Sequence, residues 1–258
     1  SNDMESHYNL GEIFLQQGKL KETVEHFNKT LSLDPSDKLG VILKLASIGK
    51  RKIPKCTPEN HLKHFYKNKS KVWGERESQY HGHIMVKRAI KETQSKKKSL
   101  HILDLGCGTG SLANFLDSYS DTLDGIDLSS DMLEKAKKTG YYNSLHEKNL
   151  THYLKGKKSC YDMIVAAAVM IHFLDLKPIF TLIRDSLKSK GQFVVSAFET
   201  NKNDKELNSF MMYSHSDDYI RHIASSLNFK ILYQQQGVHE YHKAVPVNGL
   251  VYVLEKIG

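Results

Sequence analysis

From residue 100 onward the sequence predicts an α/β fold, a mostly parallel sheet with helices on both faces, and ahead of it a small helical segment. Three observations carry this expectation. Short apolar runs at 100–105, 122–127, 144–147, 161–166 and 191–198 alternate with helical stretches, as strands joined by crossover helices do. Two later apolar runs, 229–236 and 247–254, flank a polar stretch and predict a final antiparallel pair. In the first 36 residues apolar groups recur instead at helical spacing.

That first segment places Leu10, Phe14, Val24, Phe27, Leu31 and Leu33 on one side of two helices, broken at Gly18 and closed by Asp34-Pro35. Leu10-Gly11, Phe14, Gly18, Phe27 and Pro35 fall where one tetratricopeptide repeat has its small and apolar residues. A single repeat cannot bury its own apolar face, so it is expected to pack on a helix at 37–48 or on a protein partner. Residues 1–50 therefore form a tetratricopeptide-like segment. Residues 49–58, with one glycine, two prolines and four basic residues, read as a linker. Helices at 59–73 and 79–94 follow, carrying Tyr66, Trp73 and Tyr80. This linker and helix pair, 51–98, is expected to lid the site of the main domain at 99–258.

The 258 residues carry a formal charge of +8. The excess is local: 38–98 holds 17 Lys or Arg against four acids. Such a stretch favours phosphate contact or a soluble surface. Cys56, Cys107 and Cys160 lie too far apart for a metal-ligand pattern or a disulfide framework, and His81-Gly82-His83 lacks companions, so no metal is expected. No apolar run reaches the length of a membrane span and the first residues lack signal-peptide order, so a cytoplasmic protein is expected.

The strongest chemical signal is His101-Ile102-Leu103-Asp104-Leu105-Gly106-Cys107-Gly108-Thr109-Gly110, an apolar strand running into a glycine turn and then a helix at 111–118. Such a loop lets a ligand lie against the backbone and offers free N–H donors. Its G-x-G-x-G spacing lacks the third glycine position of the dinucleotide fingerprint. Seventeen residues past Gly110, Leu123-Asp124-Gly125-Ile126-Asp127 ends in an acid placed to accept hydrogen bonds from ribose hydroxyls. Leu128 and Met132 follow, positioned to sandwich an adenine face.

With Leu103-Asp104-Leu105-Gly106-Cys107-Gly108-Thr109-Gly110 and Gly125-Ile126-Asp127-Leu128-Ser129, the chain over 100–258 resembles the class I S-adenosylmethionine-dependent methyltransferases and their Rossmann-like sheet. Together with the repeat it is similar to bacterial methyltransferases that contain tetratricopeptide repeats. The resemblance implies S-adenosylmethionine as cofactor and S-adenosylhomocysteine as product. It implies Asp104, Gly106 and Gly108 at the methionine end, Asp127 on the ribose, and Asn149-Leu150 where the family has Asp-Leu near the adenine amine. Cys107, Gly110, Ala166 and Met170 complete the expected cofactor contacts. Ala168 and His172 stand where related chains commonly have Asp and Tyr beside the reactive end.

Methyl transfer needs an in-line nucleophile, and a general base where the acceptor must lose a proton. His172, after the fourth strand, and His215, in the C-terminal part, are the candidate bases. No Asn-Pro-Pro-Tyr or Asp-Pro-Pro-Tyr run follows that strand, so the signature of exocyclic nucleobase amine methylation is missing. The leading expectation is transfer to an unknown small-molecule or protein acceptor. The alternatives are RNA methylation through the basic 38–98 stretch, and a non-catalytic cofactor-binding scaffold whose repeat docks a partner.

Overall fold

The computed structural model describes residues 3–70, 80–95, 99–202, 204–242 and 244–258. The expected helical hairpin is α1 (Met4–Gln16) and α2 (Leu20–Leu33). Asp3 caps α1 by accepting from the Ser6 N–H. Phe27 is fully buried at the crossing, against Val41 and Leu45 of α3 (Val41–Ser47), so the repeat covers its apolar side with the next helix of its own chain. Thr23 and Thr30 are buried, and their hydroxyls donate to the carbonyls of Lys19 and His26 one turn back, which removes the cost of burying them. The helix expected from residue 37 starts four residues later. Asp37 sits at φ 55, and its carboxylate accepts from the Val41 and Ile42 N–H groups, so it caps α3 from outside.

The linker is pinned to the main domain. Thr57 N–H donates to the His172 carbonyl, Leu174 N–H to the Lys55 carbonyl, and Tyr213 hydroxyl to the Pro54 carbonyl. α4 (Glu59–Ser70) and α5 (Gly82–Thr93) then diverge in role. Met85, Val86, Ala89 and Ile90 of α5 are buried against the sheet as part of the core, whereas α4 buries only Ser70. Trp73 and the end of the helix expected at 59–73 lie outside the described residues.

The sheet runs β3-β2-β1-β4-β5 with parallel neighbours. Its strands are β1 (Leu100–Leu105), β2 (Ser120–Asp127), β3 (Ser144–Glu147), β4 (Tyr161–Ala166) and β5 (Leu187–Glu199). The expected antiparallel pair is β8 (Phe229–His242) and β9 (Val245–Lys256), with β9 against β5. Two short strands the sequence did not announce, β6 (Lys205–Leu207) and β7 (Tyr213–His215), extend the upper end of β5.

Alternate residues feed opposite layers. Leu103, Leu105, Ile164, Phe193 and Val195 face α9 (Lys177–Ser186) and α10 (Asp217–Ser226). Ile102, Met163, Val165, Val194 and Val251 face α5 and α6 (Ala113–Asp117). Burial on both sides explains why the strands read as continuous apolar runs. The chain order reverses between β1 and β4, and in such sheets the crevice opens at the carboxyl ends of those strands. α7 (Ser130–Lys138) and α8 (Leu150–Leu154) border that crevice. Among the described residues no helix is long and apolar enough to cross a membrane.

Candidate active site

At the carboxyl ends of β1, β2 and β4 lies a cleft with walls mainly of carbon. The β1 side is backbone. Gly106 and Gly108 take φ of +75 and +54, and a Cβ at Gly106 would stand 2.5 Å from Val169 Cγ2. At Gly108 a Cβ would meet nothing within 4 Å, so the loop there faces open cleft. Gly108 N–H donates to Asp127 Oδ2 (3.0 Å) and Ser129 N–H to Asp127 Oδ1 (2.9 Å). Those two bonds aim the carboxylate and leave each oxygen a lone pair for a hydroxyl donor. Ser129 in turn caps α7, which brings Leu128 and Met132 to the same wall.

Asp104 is buried at the end of β1 and accepts from the Tyr142 hydroxyl at 2.7 Å. Burial, with a smaller contribution from the neighbouring Asp127 charge, lifts its carboxyl to about 7 against the pull of that hydrogen bond. Burial likewise raises Asp127, opposed by backbone hydrogen bonds from Ser129, Gly108 and Leu128. Two adjacent carboxylates without a cation among the described lining residues make this end of the cleft attractive to a positive group.

The opposite wall is aromatic. Leu62 and Tyr66 come from α4, Tyr80 precedes α5, and Ala168, Val169, His172 and Phe173 follow β4. Tyr66 Oη lies 2.7 Å from His172 Nε2, and Thr57 Oγ1 stands 3.5 Å from Nδ1. Burial holds the His172 imidazole down to about 3, helped by Lys69 and His61, so it is neutral at pH 7. Ala168 holds a left-handed backbone, φ 56, a costly conformation for a residue with a Cβ. Its N–H donates to Ser196 Oγ (3.0 Å), which lies 2.9 Å from His239 Nε2. Ser196 and His239 are fully buried, so this pair fixes the strained peptide from behind.

The cleft gathers Asp104, Gly106, Cys107, Gly108, Asp127, Leu128, Met132, Asn149, Leu150 and His172 of the residues expected from sequence. Asn149 is already engaged: its Oδ1 caps α8 through Thr151 and His152, and its Nδ2 donates to Glu59 of α4. Gly110 packs on Thr139 and Tyr142 outside the lining. Ala166 and Met170 sit in the core layer beneath it, because strand alternation turns Ala166 away and Ala167, Ala168 and Val169 form the surface instead. His215 is also outside, fully buried, stacked on Tyr219 with Nε2 bonded to the Phe173 carbonyl. Sequence reasoning missed Leu62, Leu112 and Phe173 as lining residues, and Tyr142 as the partner of Asp104. Spacing gave no signal for Phe173, whereas Leu62 and Tyr66 share one helix face at i and i+4.

The switch-point crevice, the glycine loop after β1 and the acid at the end of β2 are those of a Rossmann-like fold. A family model described as a methyltransferase domain matches residues 96–244, and one described as a tetratricopeptide repeat matches residues 5–37. The chain belongs to the methyltransferase-domain family. It is 29% identical over 145 residues to the probable S-adenosylmethionine-dependent methyltransferase CRG1 of Saccharomyces cerevisiae, covering 53% of this chain and 49% of that protein. The chain thus spans about half the length of the curated relative it matches. Two solved structures share the fold. One is 1,6-didemethyltoxoflavin-N1-methyltransferase of Burkholderia thailandensis, with 1,6-didemethyltoxoflavin and S-adenosylhomocysteine bound; its TM-score is 0.60 at 14% identity, over 78% of this chain and 87% of that one. The other is an S-adenosylmethionine-dependent methyltransferase of Methanosarcina mazei, with TM-score 0.53 at 18% identity, over 65% of this chain and 96% of that one. Along the cleft the open backbone at Gly108, the aimed Asp127 carboxylate and the buried Asp104 offer a neutral, a hydrogen-bond-accepting and an acidic surface in turn.

Proposed function

We propose that this chain transfers the methyl group of S-adenosylmethionine to a small-molecule or protein acceptor, with α4 roofing the reaction. The observation that carries the reading is the Gly108 to Asp127 hydrogen bond, which locks the loop and the ribose-facing carboxylate into one unit. In this reading Asp104 holds the cofactor's ammonium, residues 106–108 lie along its methionine end, Asp127 takes the ribose hydroxyls, and Leu128, Met132 and Leu150 enclose the adenine.

The sulfonium of the bound cofactor supplies a methyl group already activated for displacement. What remains for the protein is alignment and exclusion of water, and alignment alone contributes about 7 to 11 kcal/mol. Leu62, Tyr66 and Tyr80 form the roof that excludes water. His172 is the candidate proton acceptor that faces the cleft; His215 is not exposed to it. The RNA reading gains nothing here: Lys96, Lys97 and Lys98 lie outside the described residues, and the two carboxylates of the cleft oppose a phosphate backbone. For the repeat, exposed Leu10, Ile13 and Leu20 favour a protein partner.

Calorimetric titration with S-adenosylmethionine and S-adenosylhomocysteine tests the reading. Micromolar binding is expected, weakened at least 100-fold in Asp127→Ala. Failure of the intact protein to bind either would sink the proposal and promote the scaffold alternative.

A further inference from the structure

The cleft also bears on the chemistry of the acceptor, an inference that rests on the methyltransferase reading. Once the β1 and β2 residues are assigned to the cofactor, the ring side chains left to face the acceptor are Tyr66, Tyr80, His172 and Phe173, with Leu62, Val169 and the small Ala168 among them. Three are rings of carbon with at most one hydroxyl, and the fourth is a neutral imidazole. Flat faces of this kind favour a flat aromatic ligand in offset or edge-on contact. The charged groups among the described lining residues are Asp104 and Asp127, both acidic, so an anionic acceptor would enter against repulsion.

The Tyr66 and His172 pair is a polar handle on this wall. Tyr66 Oη and His172 Nε2 share a proton at 2.7 Å, across 106 residues of sequence, with their rings edge-on at 84°. With the Tyr66 O–H donating to Nε2, the lone pairs of Oη are left to accept from a ligand O–H or N–H. We propose that the acceptor is an uncharged aromatic or heteroaromatic molecule that presents an O–H or ring N–H to the Tyr66 and His172 pair.

The proton balance agrees. The acceptor's lone pair forms the bond to the methyl carbon as the carbon–sulfur bond breaks with its electrons on sulfur. The acceptor's proton passes to Tyr66 Oη while the Tyr66 proton passes to His172 Nε2, and the imidazolium later returns it to water. Burial makes this imidazole a weak base. It therefore suits a hydroxyl or ring nitrogen that becomes strongly acidic on methylation, and not an aliphatic amine, whose ammonium holds its proton to about pH 10.

The test titrates the full chain, saturated with S-adenosylhomocysteine, with three probes of one ring size: 2-naphthol, 2-naphthoate and 2-naphthylmethylamine. Neutral 2-naphthol is expected to bind at least tenfold more tightly than either charged probe, the anion because of the two carboxylates and the ammonium because it would leave water for a wall of rings and a neutral imidazole. Tyr66→Phe, which keeps the ring and removes the hydroxyl, should weaken 2-naphthol about tenfold and leave both charged probes within twofold. Equal binding of the anion or the amine overturns the inference, as does no 2-naphthol binding to protein that holds S-adenosylhomocysteine. Tyr66→Phe without effect on 2-naphthol overturns the role of the pair. Failure to bind S-adenosylhomocysteine at all instead fails the cofactor reading beneath it, and the acceptor assignment falls with it.

Discussion

The two walls of the cleft are built on different principles. The wall proposed for the cofactor is made of backbone and side chains from two stretches of sequence, 104–109 and 127–132, each folded by its own turn. The facing wall carries ring side chains from α4, from Tyr80 ahead of α5 and from the turn after β4, and a hydrogen bond within it joins residues 106 apart. A ligand site of the first kind demands glycine and an acid at fixed spacing. One of the second kind accepts many residue types, which is how a shared cofactor fold serves different acceptors.

The largest effect should come where the walls touch. Gly106→Ala would put a Cβ 2.5 Å from Val169 Cγ2 and strain a φ of +75. It is expected to abolish cofactor binding by calorimetry and to cost about 1 to 3 kcal/mol in chemical denaturation. Retained binding would mean that the walls are less tightly joined than described. Next comes a titration that separates the walls by pH. Asp104 has its carboxyl near 7, and binding a cation favours the ionised form. Affinity for S-adenosylmethionine should therefore rise roughly fivefold from pH 6 to pH 7, as the ionised fraction rises, and Asp104→Asn should flatten that rise. The His172 imidazole, held near 3, should contribute no step in the same window. A pH profile unchanged by Asp104→Asn would remove Asp104 from the site. The smallest effect is expected at Ala168. Glycine there relieves the left-handed strain, and Ala168→Gly should raise stability by about 0.5 to 1 kcal/mol. Lower stability would indicate that the backbone at Ala168 holds no strain for glycine to relieve.

How much was legible follows the same division. β1 and β4 begin and end where the apolar runs predict, because strands buried on both faces announce themselves by composition alone, and the edge strand β3 also falls where expected although none of its residues is buried. β6 and β7 went unread because three-residue strands carry no period to detect. The helices expected at 59–73 and 79–94 were one lid in sequence. In the structure α5 sends Met85, Val86, Ala89 and Ile90 into the core, while α4 turns Leu62 and Tyr66 to the cleft. Periodicity shows that each helix has a buried face, without saying against what. Asn149 teaches the same lesson, since a position read for its acceptor oxygen spends that oxygen on capping α8.

The sequence by itself determined the sheet order's raw material, the glycine turn and the two carboxylates, because each is set by backbone geometry within a few residues. Only the tertiary structure decided that Ala166, Met170 and His215 lie outside the cleft, and that Tyr66 meets His172 inside it. Those outcomes depend on which face of an element meets which neighbour, a matter of packing between distant segments that no local pattern encodes.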